Sequence, residues 1–187
     1  MDGVSNAFTW EFSMSVTTPR WIEWAARIAS LTALPSGLWR IALGVGVPVG
    51  FSGHLADIYK PGWVLTPYVI VLTLVAEGLA MLTMGLVRPW GEVVPSWIPF
   101  LGGRRIAPLA AVVPASLGAL AVTAITLVGA FSWTNPDTMG DPEAPHGLAG
   151  AIMTACYAPL LAWGPLLAIV TVAYYIRRTR RPQPVAA

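Results

Sequence analysis

The sequence predicts an all-α integral membrane protein, a bundle of four transmembrane helices that forms a single membrane domain over residues 1–187. Hydrophobic residues make up 56% of the chain and charged residues only 11%, whereas a soluble domain carries about 25% charged residues. The mean hydropathy is +0.65. Each bilayer crossing needs roughly 20 apolar residues. Four crossings and their connections therefore use nearly the whole length, which excludes a separate soluble catalytic domain.

Four apolar runs predict the crossings. The predicted spans cover residues 21–47, 63–87, 106–131 and 148–176. Span one contains several charges, including Arg40; span two has Glu77 near its middle; span three has no charge. Span four is interrupted by Pro159 and Pro165, and proline removes a backbone donor and kinks a helix. Because no basic residue precedes Arg20, we expect span one to be retained and not cleaved as a signal peptide.

The basic residues predict that both chain ends face the cytoplasm, because cytoplasmic connections of membrane proteins are rich in Lys and Arg. They cluster before span one, between spans two and three, and after span four: Arg20, Arg88, Arg104, Arg105, Arg177, Arg178, Arg180 and Arg181. Residues 88–105 are too short and too rich in proline to cross, and they predict an interfacial loop on the cytoplasmic leaflet. Topology thus explains the net charge of +2, and we expect no nucleic-acid partner.

Arg40 and Glu77 most need an explanation, since a charge at the centre of a transmembrane helix costs on the order of 2.5–3.5 kcal/mol. Helices joined by a short connection are normally antiparallel neighbours. We therefore predict an intramembrane contact between these two side chains, direct or through water. Thr32 and Ser36 share a helix face with Arg40, and Thr73 shares one with Glu77. The two stripes predict a polar seam, which either forms a ligand cavity or only holds the helices together through polar contacts.

The kink predicted in span four lies opposite this seam. Tyr157 and Trp163 flank it and are expected to line the opening that a kinked helix leaves, although a packing kink without a ligand is the alternative. The candidate ligand-binding residues are Arg40, Glu77, Ser36, Thr32, Thr73, Tyr157 and Trp163.

The outer connections contain both histidines, each three residues from a carboxylate: His54 with Asp57, and His146 with Glu143. Such donors can bind zinc, but this spacing is unspecific and acidic outer loops are common, so we predict solvated side chains and no metal site. Cys156 lies alone in an apolar run, which excludes an intramolecular disulfide and indicates an inert thiol. No motif names a reaction or a cofactor, so enzymatic activity and cofactor stay open.

Small residues recur at every fourth position of span three, at Ala111, Ala115, Ala119 and Thr123. They permit close backbone approach, to a helix of the same chain or of a second copy. The expected partners are membrane lipids, with a homodimer or a larger membrane complex as open alternatives. Residues 27–37 also echo residues 105–116, which indicates either an internal duplication or shared hydropathy.

Two segments carry a family resemblance. They read Leu-Pro-Ser-Gly-Leu-Trp-Arg at residues 34–40 and Leu-Val-Arg-Pro-Trp-Gly-Glu-Val-Val-Pro at residues 86–95, with Gly-Gly-Arg-Arg at 102–105. They resemble segments of uncharacterised four-helix, multi-pass membrane proteins of actinobacteria. The resemblance covers roughly residues 21–113 and implies a bacterial cytoplasmic (inner) membrane location without implying an activity.

The sequence therefore predicts a membrane protein that binds or moves a small molecule or lipid in a cavity within the bundle, near Arg40 and Glu77. The alternatives are a non-catalytic accessory subunit of a larger membrane complex, and a small membrane enzyme with its site in the polar seam or the outer loops. The identity of the ligand and the order of the helices are not predicted.

Overall fold

The computed structural model of the protein describes residues 19–93, 103 and 105–179, which form an all-helical structure. The helices are α1 Arg20–Leu31, α2 Leu34–Gly44, α3 Gly53–Ile58, α4 Leu65–Gly85, α5 Pro108–Phe131, α6 Gly147–Tyr157 and α7 Leu160–Thr179. A 3₁₀ turn covers Pro89–Gly91. Within these described residues, the only β-type pairing is an isolated bridge between Val93 and Arg105. The predicted helical class is confirmed.

Three segments are long and apolar enough to cross a membrane: Leu65–Gly85, Pro108–Phe131 and Gly147–Thr179. They correspond to predicted spans two, three and four. With 21 residues at 1.5 Å per residue, α4 is about 32 Å long, close to the roughly 30 Å hydrocarbon thickness of a bilayer. The third segment comprises α6 and α7, separated by a turn at Ala158 and Pro159, whereas Pro165 lies inside α7 without ending it.

The first predicted span differs, because it forms two helices. The helices α1 and α2 have 12 and 11 residues and are separated by Thr32 and Ala33. Pro35 lies in the first turn of α2, where its missing N–H is not needed and its fixed φ suits a helix start. Neither helix alone has the length that a crossing requires. Together they still follow α4, since Ala29 and Ala33 pack with Ala80, and Gly44 lies against Val69.

The helix pairs define how the bundle is assembled. The helices α1 and α5 both pack on α7, and α1 and α2 both pack on α4. Gly164 of α7 lies so close to α5 that an added Cβ would stand 2.8 Å from the Thr123 nitrogen and 3.0 Å from the Ala119 oxygen. The small-residue face of span three therefore packs against α7 of the same chain.

The remaining helix surface is strongly apolar. Large side chains such as Leu120, Ile125 and Val128 of α5 are mostly exposed. In the most apolar stretch of 18 residues of that helix, only 6% of the residues are buried. Soluble monomers rarely expose an apolar surface that extends along a whole helix. The structure thus supports the membrane class, by length and composition of its helices.

One end of the bundle, here called the basic end, holds Arg20, Arg88, Arg105, Arg177 and Arg178. There the Glu92 carboxylate binds Arg177 Nη2 at 2.9 Å and Arg178 Nη1 at 3.6 Å. Arg177 also donates to the Leu86 carbonyl at 3.0 Å. These contacts join the end of α7 to the α4–α5 connection. Residues 94–102 and 104, most of the predicted interfacial loop, lie outside the described residues.

The two echoing segments have different local structures. Residues 27–37 contain the break between α1 and α2, whereas α5 continues from Pro108 through Pro114 to Phe131. The similarity between these segments is therefore not accompanied by the same backbone path.

Candidate functional site

The end of the bundle opposite the basic end, here called the aromatic end, is closed by two connections that contact each other. The Ser52 N–H donates to the Glu143 carbonyl at 2.9 Å, and the Leu55 N–H donates to the Glu143 carboxylate at 3.0 Å. The α2–α4 connection, which contains α3, is thereby held against the α5–α6 connection. This contact fixes the position of the aromatic side chains on both segments.

Five aromatic rings form a continuous cluster beneath these connections. Trp39 meets Phe51 with centroids 6.1 Å apart and Tyr157 with centroids 5.5 Å apart, both edge to face. Phe51 then lies 4.5 Å from Tyr59, and Tyr157 lies 5.6 Å from Trp133. Edge-to-face and tilted pairs at such distances are favourable, so the cluster forms a rigid wall.

This wall borders a cavity of about 310 Å³, here called the aromatic cavity. Its lining consists of Trp39, Arg40, Leu43, Phe51, Tyr59, Leu65, Tyr68, Val69, Leu72, Trp133, Met139, Met153 and Tyr157. Ligand pockets typically have volumes of roughly 300–1,000 Å³ and mostly apolar walls with a few polar groups. The cavity is at the small end of that range and suits a small molecule better than a whole phospholipid.

Helical spacing explains how single elements supply several of these side chains. On α4, the lining residues Leu65, Tyr68, Val69 and Leu72 have the spacing i, i+3, i+4, i+7 and therefore share one face. Residues 39 and 43 of α2, and residues 153 and 157 of α6, are likewise one turn apart. The cavity forms where these three faces converge with the two connections.

Arg40 alone among the described lining residues carries a charge. Its Nη2 donates to Ser36 Oγ at 3.4 Å, a long hydrogen bond, and its Nε is buried without a partner. An arginine has five N–H donors. Most of the hydrogen-bonding capacity of this guanidinium is therefore not used within the described part of the chain.

Glu77 lies beside Arg40 but does not pair with it. Glu77 Oε1 lies against the backbone of Gly37, about one helical turn before Arg40. Among the described ion pairs, however, none joins Glu77 to Arg40 at an N···O distance of 4.0 Å or less, and Glu77 Oε1 has no hydrogen-bond partner. The predicted contact is thus a near approach. Its direct form is not observed, and its water-mediated form stays a prediction.

The other residues of the predicted seam lie behind the cavity wall. Thr32 and Ser36 are buried and donate to the carbonyls of Ala29 and Ala33 at 2.7 and 2.9 Å. They satisfy their own helix backbone, as serine and threonine commonly do. Thr73 is buried at the α2–α4 interface, and its hydroxyl has no partner within the described ranges of the chain. None of these three lines the aromatic cavity.

Trp163 and Tyr157, predicted to flank one opening, are separated by the structure. Tyr157 lines the aromatic cavity. Trp163 is buried in the middle of the bundle among Ala29, Ala33 and Ala80, and its indole N–H has no partner among the described residues. Of the seven predicted ligand-binding residues, Arg40 and Tyr157 therefore meet at the cavity, and Trp163 belongs to the packing core.

The weak metal candidates do not converge. The connections that contain His54 and Glu143 do meet, but Glu143 accepts hydrogen bonds from backbone N–H groups, and His146 Nδ1 contacts the Ala144 carbonyl. In the part of the chain that the structure describes, no group of three or more His, Cys, Asp or Glu side chains could hold a metal ion.

A larger groove of about 570 Å³ lies at the basic end, between α1 and α7. Its walls are almost entirely apolar, and the one charged side chain on them, Arg177, is already bound to Glu92 and to the Leu86 carbonyl. Such a lateral surface is what lipid tails cover on any transmembrane helix pair. The smaller aromatic cavity is the better candidate. Its walls are mostly apolar, and they include a guanidinium that has few hydrogen-bond partners among the described residues.

Sequence reasoning missed most of the aromatic cavity. Of the lining residues, the sequence identified only Arg40 and Tyr157 as ligand-binding candidates, and not aromatic residues such as Phe51, Tyr59 and Trp133. The spacing of Leu65, Tyr68, Val69 and Leu72 indicates in the sequence that they share one helix face. Nothing in the sequence indicates that the two connections converge on that face.

No family model, no curated protein and no solved structure matches this chain.

Proposed function

We propose that this protein binds, and in its membrane moves, a small molecule through the aromatic cavity. The observation that supports the proposal is an apolar, aromatic-walled space of about 310 Å³ with one guanidinium on its wall. Arg40 is half-buried, and its Nε is buried without a partner among the described residues, which is unfavourable. A site that binds a ligand gives that arrangement a use.

The proposal includes a topology. We infer that α1 and α2 together form a fourth crossing, that both chain ends lie in the cytoplasm, and that the membrane is the cytoplasmic membrane of a bacterium. The basic end holds the start of α1, the end of α7 and the arginines of the α4–α5 connection, which fits the distribution of basic residues in membrane proteins. The aromatic cavity then faces the outer side.

The accessory-subunit alternative receives less support. The small-residue face of span three was the surface expected to dock a partner, and Gly164 of α7 lies on it at Ala119 and Thr123. That surface is thereby used within the chain.

Calorimetric titration tests the proposal, with the full chain in phosphatidylcholine nanodiscs and empty nanodiscs subtracted. The probes are 2-naphthoate, 2-naphthamide and 2-naphthylmethylammonium, which share an aromatic body that fits the cavity. At least one probe is expected to bind saturably. Leu72→Trp, which enlarges a side chain that lines the cavity, should reduce that affinity at least tenfold. Leu74→Trp is the matched control, because Leu74 is exposed and does not line the cavity. Equal binding by both variants, or no saturable binding, contradicts the proposal.

A further inference from the structure

The charge on the wall of the aromatic cavity restricts the chemistry of a ligand. Aromatic rings attract cations through their faces, but Arg40 places a fixed positive charge among them. This charge repels a cation and attracts an anion. A neutral apolar molecule gains nothing from it.

The guanidinium of Arg40 has N–H donors available to bind such an anion. Its one side-chain hydrogen bond within the described residues is the 3.4 Å contact to Ser36, and its Nε has none. The planar fork of arginine matches a carboxylate or related oxyanion through two parallel hydrogen bonds. A ligand oxyanion would therefore fill donors that the protein leaves empty.

Glu77 supplies the nearest negative charge but is positioned elsewhere. An added Cβ on Gly37 would stand 2.9 Å from Glu77 Oε1, so the carboxylate lies against the backbone of α2, one turn before Arg40. It forms no ion pair with Arg40 within the described residues, so it does not occupy the donors of the guanidinium. Because like charges repel, a second negative charge on the ligand would be disfavoured at this position.

We propose that the ligand is a small hydrophobic monoanion, whose charged group binds Arg40 and whose apolar body packs on Trp39 and Tyr157. The inference rests on the proposed function of the same cavity. A carboxylate on an apolar body satisfies it, whether as an aromatic acid from the aqueous phase or as a fatty acid from the bilayer. Glu77 opposes this binding and sets a limit to its strength.

The three naphthalene probes distinguish the charge class, since they differ only in the charge of one group. We expect 2-naphthoate to bind at least tenfold more tightly than 2-naphthamide, tenfold being about 1.4 kcal/mol, and 2-naphthylmethylammonium to bind most weakly. Equal affinities for all three, each lost in Leu72→Trp, overturn the monoanion inference and leave the binding function in place. If none of the three probes binds, both the monoanion inference and the proposed binding function are overturned.

Three variants test the roles of the two charges. Arg40→Gln should remove the preference for naphthoate, and Arg40→Lys should keep part of it. Glu77→Gln should tighten naphthoate binding several-fold and leave naphthamide binding unchanged, because only the anion experiences the removed charge. If Arg40→Gln does not fold, the Glu77→Gln result and the wild-type ranking still decide. Weaker naphthoate binding in Glu77→Gln contradicts the proposed opposition.

Competition separates the two sources of the carboxylate. Dodecanoate, supplied in the nanodisc bilayer, should displace 2-naphthoate if the cavity takes fatty acids from the membrane. If only the water-borne acid 1-naphthoate competes, the ligand is an aqueous aromatic acid. Either result supports the charge class, and a failure of both 1-naphthoate and dodecanoate to displace the probe would show that binding is not at a carboxylate site.

Discussion

The backbone of Gly37 in α2 lies directly against the carboxylate of Glu77 in α4. An added Cβ at this glycine would stand 2.9 Å from Glu77 Oε1 and 3.0 Å from Thr73 Cγ2. The absence of a side chain at one position thus allows two helices to approach and determines where the carboxylate lies. This contact also keeps the α2 and α4 faces of the aromatic cavity together.

A bulky side chain at this position should separate the two helices. Gly37→Leu is expected to lower the free energy of unfolding by about 1–3 kcal/mol, the usual effect of overpacking. The measurement is the unfolding transition in mixed micelles. Gly78→Leu on α4 serves as the control, because a Cβ added at Gly78 would have no neighbouring atom within 4 Å. Equal destabilisation by both variants would show that α2 and α4 are not in close contact at Gly37.

One carboxylate binds two arginines at the end of α7. Glu92 is one-third exposed and binds both Arg177 and Arg178, and hydrogen bonds to charged groups contribute about 1.5–3 kcal/mol. Glu92→Gln should destabilise the protein by about 1–2 kcal/mol and speed amide exchange in the last turns of α7. Glu23→Gln should change stability by less than about 0.5 kcal/mol, because its 3.9 Å pair with Arg27 is exposed. A similar effect of both variants would be inconsistent with a special role for Glu92.

Thr83 is almost completely buried, and its hydroxyl has no hydrogen-bond partner in the part of the chain that the structure describes. Burying an unpaired hydroxyl is unfavourable, so Thr83→Val should raise the free energy of unfolding by about 1 kcal/mol. Thr32→Val should not, since the Thr32 hydroxyl donates to the Ala29 carbonyl at 2.7 Å. Equilibrium unfolding of the two variants provides the comparison. Loss of stability in Thr83→Val would reveal a water or a ligand on that hydroxyl.

The proposed topology predicts which side of the membrane each connection faces. In a Cys156→Ala background, an impermeant thiol reagent applied to intact cells should label Asp57→Cys, but not Pro19→Cys or Thr179→Cys. All three positions are exposed, so differences in labelling report the side and not burial. If α1 and α2 lay along one surface instead of crossing together, Pro19→Cys and Asp57→Cys would react alike.

The amino-acid sequence by itself determined the helical membrane class and three of the long apolar helices. Continuous apolar runs such as residues 65–85 and 108–131 have few stable alternatives, because a backbone in lipid must satisfy its own hydrogen bonds. The packing of α2 on α4, which places Glu77 against Gly37, followed from the expectation that consecutive membrane helices are antiparallel neighbours. The exposed pair of Glu23 with Arg27 followed from helical spacing alone.

Only the tertiary structure decided the rest. Pro35 lies directly after the break at Thr32 and Ala33, at the start of α2, whereas Pro165 lies inside α7 without ending it. Whether a proline separates two helices therefore depends on the packing around it. The aromatic cavity assembles from α2, α4, α6 and two connections, so its existence depends on long-range contacts such as that of Glu143 with Ser52. Side-chain periodicity specifies which residues share a face, whereas which faces meet is set by the packing of the whole bundle.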